Sequence, residues 1–292
     1  MLDSAASLLF SPAFQLLAGL AVLLGLVSCV TKPPSSPYKH WAVYYGSDAA
    51  PEEFKGYDLV VLDADRHPDI DAIKAQGSQV LAYISASEID SGRKYFKQFL
   101  EQLDIGIGVN EAWQSHVIDL RQQQWQDFIV GEWLDAAMAK GFDGVFIDTL
   151  DTAISYEQND PQYQGMKLAA IQVIQRLREN MPEGKLLMVN RGFEILPDIA
   201  GDIDIVLAES ILVDAGKSGS PFFPAHIYKN YTHRLQMLRQ KYSHLSIFTL
   251  DYPETIDKTT QLRICRAQRT KGFIPYVSTK DLQHVTPLFP GC

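Results

Sequence analysis

The chain has 292 residues, 46% of them hydrophobic and 21% charged, and a formal net charge of −9. That length suits one large barrel or two smaller domains. There is no basic stripe, which argues against nucleic acid as a partner, and the acidic balance tolerates a cationic polymer without identifying one.

The first element in chain order is a targeting segment. Leu16 to Val27 is an unbroken apolar run, too short to span a bilayer comfortably and of the length of a signal-peptide core. It leads into Leu26-Val27-Ser28-Cys29, which resembles a bacterial lipobox with Cys29 as the residue to be lipidated. Asp3 is present and no Lys or Arg precedes the apolar run, so the signal is atypical, and a plain membrane anchor is the alternative. On the first reading residues 1–28 are a signal peptide, residues 29–40 a lipidated cysteine with a Pro/Ser tether, and residues 41–292 the folded domain. Either reading puts that domain outside the cytoplasm. Val30 after the cysteine, in place of an aspartate, favours the outer membrane by resemblance to sorted lipoproteins. The remaining cysteines are Cys265 and Cys292. Cys265 lies in a helical pattern with Leu262, Arg266 and Arg269, so a buried free thiol is expected there, with a Cys265–Cys292 bridge as the alternative. No Cys/His metal signature is present, and no cofactor is expected.

From Trp41 onward, short apolar runs alternate with amphipathic stretches. Eight runs are expected to be strands: 41–45, 58–62, 79–84, 144–147, 186–189, 203–208, 246–250 and 273–277. They are continuous rather than alternating, as parallel strands covered on both faces are. Between them, Trp125, Phe128, Ile129, Trp133 and Ala136 fall on one helical face, and Met166, Ala170, Val173, Ile174 and Leu177 on another. Eight such units over this length predict a single (β/α)8 TIM-type barrel, an α/β fold. His116 to Leu120 is a ninth apolar segment, expected as an extended piece within the long third loop.

Chemistry in such a barrel gathers at the carboxyl ends of the strands. Those positions carry carboxylates, amides, hydroxyls and aromatic rings, with no histidine, which argues against a His base or a zinc centre. Two acids stand out because each ends an apolar run, where a buried charge is costly. Asp148 ends the apolar run of Gly144-Val145-Phe146-Ile147-Asp148-Thr149-Leu150-Asp151, and Glu209 repeats the arrangement in Ile203-Asp204-Ile205-Val206-Leu207-Ala208-Glu209-Ser210. Paired carboxylates across a sugar ring are the machinery of glycoside hydrolysis. Asp148 is expected as nucleophile and Glu209 as acid/base, its pKa raised by apolar surroundings. The remaining candidates are substrate-binding positions, each with a structural alternative. Asp63 and Asp151 could bind a sugar or cap a helix. Glu88 and Asp251 lie at strand mouths. Asn190 and Arg191 could orient the nucleophile, bind a hydroxyl or sit in a polar loop. Tyr44, Tyr252 and Tyr276 could stack on a sugar or pack in the rim. The loop Ser218 to Pro224, with Phe222 and Phe223, could overhang the cleft or pack beneath it.

Three segments carry a more specific likeness: Gly144-Val145-Phe146-Ile147-Asp148-Thr149-Leu150-Asp151, Ala82-Tyr83-Ile84-Ser85-Ala86-Ser87-Glu88 and Ala208-Glu209-Ser210. Together they resemble the endo-α-1,4-galactosaminidase-type hydrolases of glycoside hydrolase family 114, including the related hydrolase domain of Pel exopolysaccharide processing. The likeness spans most of residues 41–280. It implies a (β/α)8 barrel, retaining cleavage of α-1,4-linked galactosamine or N-acetylgalactosamine polysaccharide, and catalytic roles on Asp148 and Glu209. Ser85-Ala86-Ser87-Glu88 departs from the Ser-Val-Gly-Glu associated with many members, so that subsite is expected to differ. The two other readings are a glycosidase of another specificity, α-galactosidase-like, and a non-catalytic envelope polysaccharide-binding barrel.

Overall fold

The structure is a computed structural model that describes residues 36–219 and 221–292. The expected signal segment, Cys29 and the tether up to residue 35 lie outside the described residues.

Eight parallel strands form one sheet: β1 (Trp41–Tyr44), β2 (Leu59–Asp63), β3 (Gln79–Ser85), β7 (Gly144–Asp148), β8 (Leu186–Asn190), β9 (Ile205–Glu209), β10 (Ser246–Asp251) and β11 (Ile274–Val277), in that spatial order. They coincide with the eight expected segments to within two residues at either end. Their residues are almost wholly buried, β2 and β10 throughout, because side chains point alternately into the barrel and out against the helices. β11 returns beside β1, where the Trp41 indole N–H donates to the Ile274 carbonyl at 3.0 Å and nearly closes the barrel. Helices α1 (Ile70–Ala75), α6 (Leu196–Ile199) and α7 (Ala225–Lys241) follow β2, β8 and β9. The result is the expected (β/α)8 architecture.

One close backbone approach in the sheet lies under the site. A Cβ on Gly144 would overlap the backbone of Leu186, so only glycine lets β7 and β8 pair in this register.

The ninth apolar segment is a strand but not a barrel strand. β6 (Ser115–Ile118) pairs antiparallel with β4 (Glu88–Asp90) and β5 (Gly106–Asn110) in a separate three-stranded sheet inserted between β3 and β7. The barrel count therefore does not slip.

The helix after that insertion departs from its expected face. A π-helical turn (Ile129–Trp133) separates α2 (Gln123–Phe128) from α3 (Leu134–Ala139). The wider turn advances the pattern by one residue, so Ala137 is buried and Ala136 is exposed. Further on, α4 (Leu150–Asn159) follows β7, and α5 (Met166–Asn180) buries all five residues of its expected face.

Helix α8 (Lys258–Arg269) is capped by Asp257, which accepts from the N–H groups of Thr259 and Thr260. Cys265 on this helix is disulfide-bonded to Cys292 with a Cα–Cα distance of 5.1 Å, not the free thiol expected. The C-terminal tail folds back along α8, where the Arg269 Nε donates to the Cys292 carbonyl at 2.7 Å. Sequence spacing carries no sign of that return.

Candidate active site

A cleft of about 740 Å³ opens at the carboxyl ends of the barrel strands, large enough for several sugar units. Asp148, Asn190 and Glu209 are the last residues of β7, β8 and β9, three neighbouring strands, and all three line the cleft. Each is followed by a residue with left-handed backbone: Thr149 (φ 61°), Arg191 (φ 53°) and Ser210 (φ 50°). Non-glycine residues rarely adopt this conformation, and it turns the chain sharply away at the moment each polar side chain reaches the cleft. Backbone bonds hold the turns: Arg191 N–H to Leu207 O at 2.9 Å, Ser210 N–H to Leu250 O at 2.8 Å.

The amide of Asn190 joins the two acids. Its Nδ2 donates to Asp148 Oδ1 at 2.9 Å and to Glu209 Oε2 at 2.6 Å, so those oxygens stand no more than about 5.5 Å apart (2.9 Å plus 2.6 Å). Asp148 takes two further donors, the Thr149 N–H at 2.7 Å and the Tyr83 hydroxyl at 3.3 Å. Glu209 also accepts from the Tyr252 hydroxyl. Burial, then the charge of Glu209, pushes the Asp148 carboxyl up to about 7, while its donors pull the other way. Burial raises Glu209 as well. Two carboxyls this close give up their protons as a pair, not independently.

Tyrosines surround the pair. The rings of Tyr45 and Tyr83 lie 4.6 Å apart, and Tyr45, Tyr83 and Tyr252 all face the cleft. Burial and the nearby carboxylates hold all three hydroxyls far above the usual tyrosine range, so they act as neutral donors. Arg191 pairs with Asp151 at 2.9 Å and donates from Nη1 to the Glu209 carbonyl at 2.7 Å, which fixes the end of β9. On the opposite wall Arg93 bridges Asp63 at 2.8 Å, Asp90 at 2.9 Å and Asp65 at 3.5 Å. Asp63 additionally accepts from the N–H groups of Asp65 and Arg66, so it shapes its own turn while facing the cleft. Glu88 accepts from Ser115 Oγ at 2.5 Å, Thr152 Oγ1 at 2.7 Å and Asn110 Nδ2 at 3.2 Å. Of the paired phenylalanines, Phe223 lines the cleft, whereas Phe222 packs under the Arg263 guanidinium.

Three expected positions lie elsewhere. Tyr44 points away from the cleft, and its hydroxyl donates to Asp48 at 2.5 Å while the ring packs on Phe54. Asp251 is fully buried, accepting from the N–H groups of Leu212 and Val213 and from Gln268 Nε2 on α8. Tyr276 packs against Trp41 and Tyr57 and accepts from the Thr286 N–H. Adjacent residues of a strand face opposite ways, and here Tyr45 and Tyr252 enter the cleft while Tyr44 and Asp251 turn away from it. Applied to each strand end, that alternation points to Tyr45 and, two residues before Ser85, to Tyr83, neither of which stands among the expected substrate contacts. Arg93 and Trp113 carry no such signal, because their placement depends on the inserted sheet. Among the described residues, no group of His, Cys, Asp or Glu is arranged to hold a metal ion.

The architecture has known counterparts. The glycoside hydrolase domain of PelA from Pseudomonas aeruginosa is 28% identical, with a TM-score of 0.73 over 85% of this chain and 97% of that one. Ega3 of Aspergillus fumigatus, solved in complex with galactosamine, shares the fold at 15% identity and a TM-score of 0.64, over 86% of this chain and 95% of that one. The α-galactosidase TtGalA of Thermus thermophilus shares the fold more distantly, at 13% identity and a TM-score of 0.54, over 86% of this chain and 59% of that one. No curated protein matches the chain in sequence. The glycoside-hydrolase family GH114 matches over residues 28–291, from just before Cys29 almost to the last residue. The chain belongs to that family and is a glycoside hydrolase.

Proposed function

We propose that this hydrolase is a retaining endo-glycosidase that cleaves α-1,4-linked galactosamine and N-acetylgalactosamine polysaccharide, with Asp148 as nucleophile and Glu209 as acid/base. The observation that carries the reading is the shared donor between the acids: it holds one oxygen of each no more than about 5.5 Å from the other, within the limit of the roughly 5 to 5.5 Å spacing of retaining enzymes and short of the ~6.5 Å or more that an inverting enzyme needs for its water. Asp148 attacks the anomeric carbon while Glu209 gives its proton to the departing glycosidic oxygen. Glu209 then takes a proton from the water that breaks the glycosyl–enzyme ester and frees Asp148. Asp148 has three donors, one of them a backbone N–H, which favours holding the pair's single negative charge there and the proton on Glu209.

The electrostatics of the cleft support an amino sugar. Asp63, Glu88, Asp90, Asp148, Asp151, Glu209, Asp214 and Asp281 line it against Arg66, Arg93, Arg191 and Lys280. That excess of carboxylates draws in a cationic polymer and repels an anionic one. Incubation of the soluble fragment from Trp41 onward with α-1,4-galactosamine oligomers of graded acetylation, read by mass spectrometry, tests the substrate. Internal cleavage is expected, and inertness towards all of them overturns the assignment.

The N-terminal lipobox supports a protein anchored to the outer membrane through Cys29, facing the periplasm or the cell surface. Radiolabelled palmitate should enter the full chain and fail to enter Cys29→Ala; equal labelling of both would dismiss the anchor.

A further inference from the structure

The turn between β5 and β6 carries Trp113 into the cleft lining with 53% of its surface exposed. An exposed indole is an expensive thing to display, and among the described residues it is the largest of the exposed apolar side chains. The turn that presents it is fixed rather than loose. The Trp113 N–H donates to Asn110 O at 3.2 Å, the Ala112 N–H to Asn110 Oδ1 at 3.2 Å, and Gln114 Nε2 to Glu111 O at 2.8 Å. Gln114 holds a left-handed backbone (φ 52°) to close it.

Both ends of that turn are tied to one buried carboxylate. Glu88, 5% exposed, accepts from Asn110 at the end of β5 and Ser115 at the start of β6, and also from Thr152 on α4, next to Asp151. At β5, Gly108 lies so close to the Tyr156 hydroxyl on α4 that a Cβ would collide with it. The turn is thereby held at a set position against α4, and the half-exposed indole it carries lines the cleft. An indole face offered this way stacks on the C–H face of a pyranose ring.

We propose that Trp113 is a distal sugar subsite, a stacking platform for a unit of the polymer remote from the scissile bond. The inference rests on the polysaccharide reading above. It implies that chain length, not only the sugar at the cleavage point, governs binding.

The test compares KM and kcat of wild type, Trp113→Ala and Trp113→Phe on short and long galactosamine oligomers. Trp113→Ala should raise KM on long oligomers roughly tenfold more than on the shortest, with kcat moving little, and Trp113→Phe should recover most of the difference. A KM rise equal at all lengths, or none on the long oligomers, overturns the subsite while leaving the substrate assignment intact. A wild type that cleaves no galactosamine oligomer overturns both, and is told apart because it fails without any substitution.

Discussion

Asp148 and Glu209 accept hydrogen bonds from the same nitrogen, Asn190 Nδ2, at 2.9 and 2.6 Å. One amide on the strand between them thus sets their separation and partly offsets their repulsion. Asn190→Ala should keep the fold and lower kcat on the order of 10²-fold, as loss of a donor aimed at reacting carboxylates does. Asn190→Asp should be worse, because a third carboxylate raises both acids and moves the acidic limb of the pH–rate profile upward. An Asn190→Ala profile and kcat equal to wild type would show that the amide organises nothing.

The same burial should be visible in stability. Asp148 is raised from an ordinary aspartate value to about 7, Asp251 to about 6, both by burial first, and Glu209 moves the same way. Between about pH 4 and pH 7 the folded state therefore holds more protons than the unfolded chain, so these groups make stability fall as pH rises through that window. Asp148→Asn removes one such group. Its melting temperature should exceed that of wild type at about pH 8 by more than at about pH 5, measured by calorimetry. A difference that is constant with pH would contradict the raised value.

Tyr44 and Tyr45 are neighbours with opposite duties. Tyr45→Ala should raise KM several-fold, since its ring lies against Tyr83 in the cleft. Tyr44→Phe should leave kinetics alone and cost about 1 kcal/mol of stability through the lost bond to Asp48. Steady-state kinetics and urea unfolding on both variants separate the two. The reverse pattern would mean that β1 sits one residue out of register.

Gly144→Ala should destabilise the protein by about 1–3 kcal/mol or more, because the added methyl meets the Leu186 backbone and not a yielding side chain. Part of the loss should appear in kcat, since β7 and β8 carry Asp148 and Asn190. Chemical denaturation and kinetics on one preparation check both effects.

Much of the barrel, and the acid pair proposed for catalysis, is legible in the sequence alone. Continuous apolar runs give away the buried parallel strands, and a carboxylate ending such a run, as Asp148 and Glu209 do, has few structural excuses. Tyr44 and Asp251 depart from expectation for one reason: a strand end offers two neighbouring side chains, and register decides which faces inward; Tyr276 pairs in register with Leu250 but packs against Trp41 and Tyr57 instead of reaching the cleft. Phe146 with Asp148, Leu207 with Glu209, and Leu250 with Tyr252 share the inward face, and that two-residue step selects Tyr45 over Tyr44 as well. The contributions of Arg93, Asn110, Trp113 and Ser115 are not legible, because antiparallel pairing across β4, β5 and β6 brings them to the cleft from a loop of unmarked polarity. The shift from Ala136 to Ala137 comes from a π-turn, and the Cys265–Cys292 bond from a tail that doubles back.

The central claim is that Asp148 becomes covalently glycosylated during turnover. The direct measurement is mass spectrometry of the Glu209→Gln protein after exposure to an activated galactosaminyl fluoride, followed by peptide mapping. With protonation no longer needed for departure and deglycosylation slowed, one sugar should accumulate on the peptide containing Asp148. An unmodified protein that nevertheless releases product of inverted anomeric configuration would contradict the account.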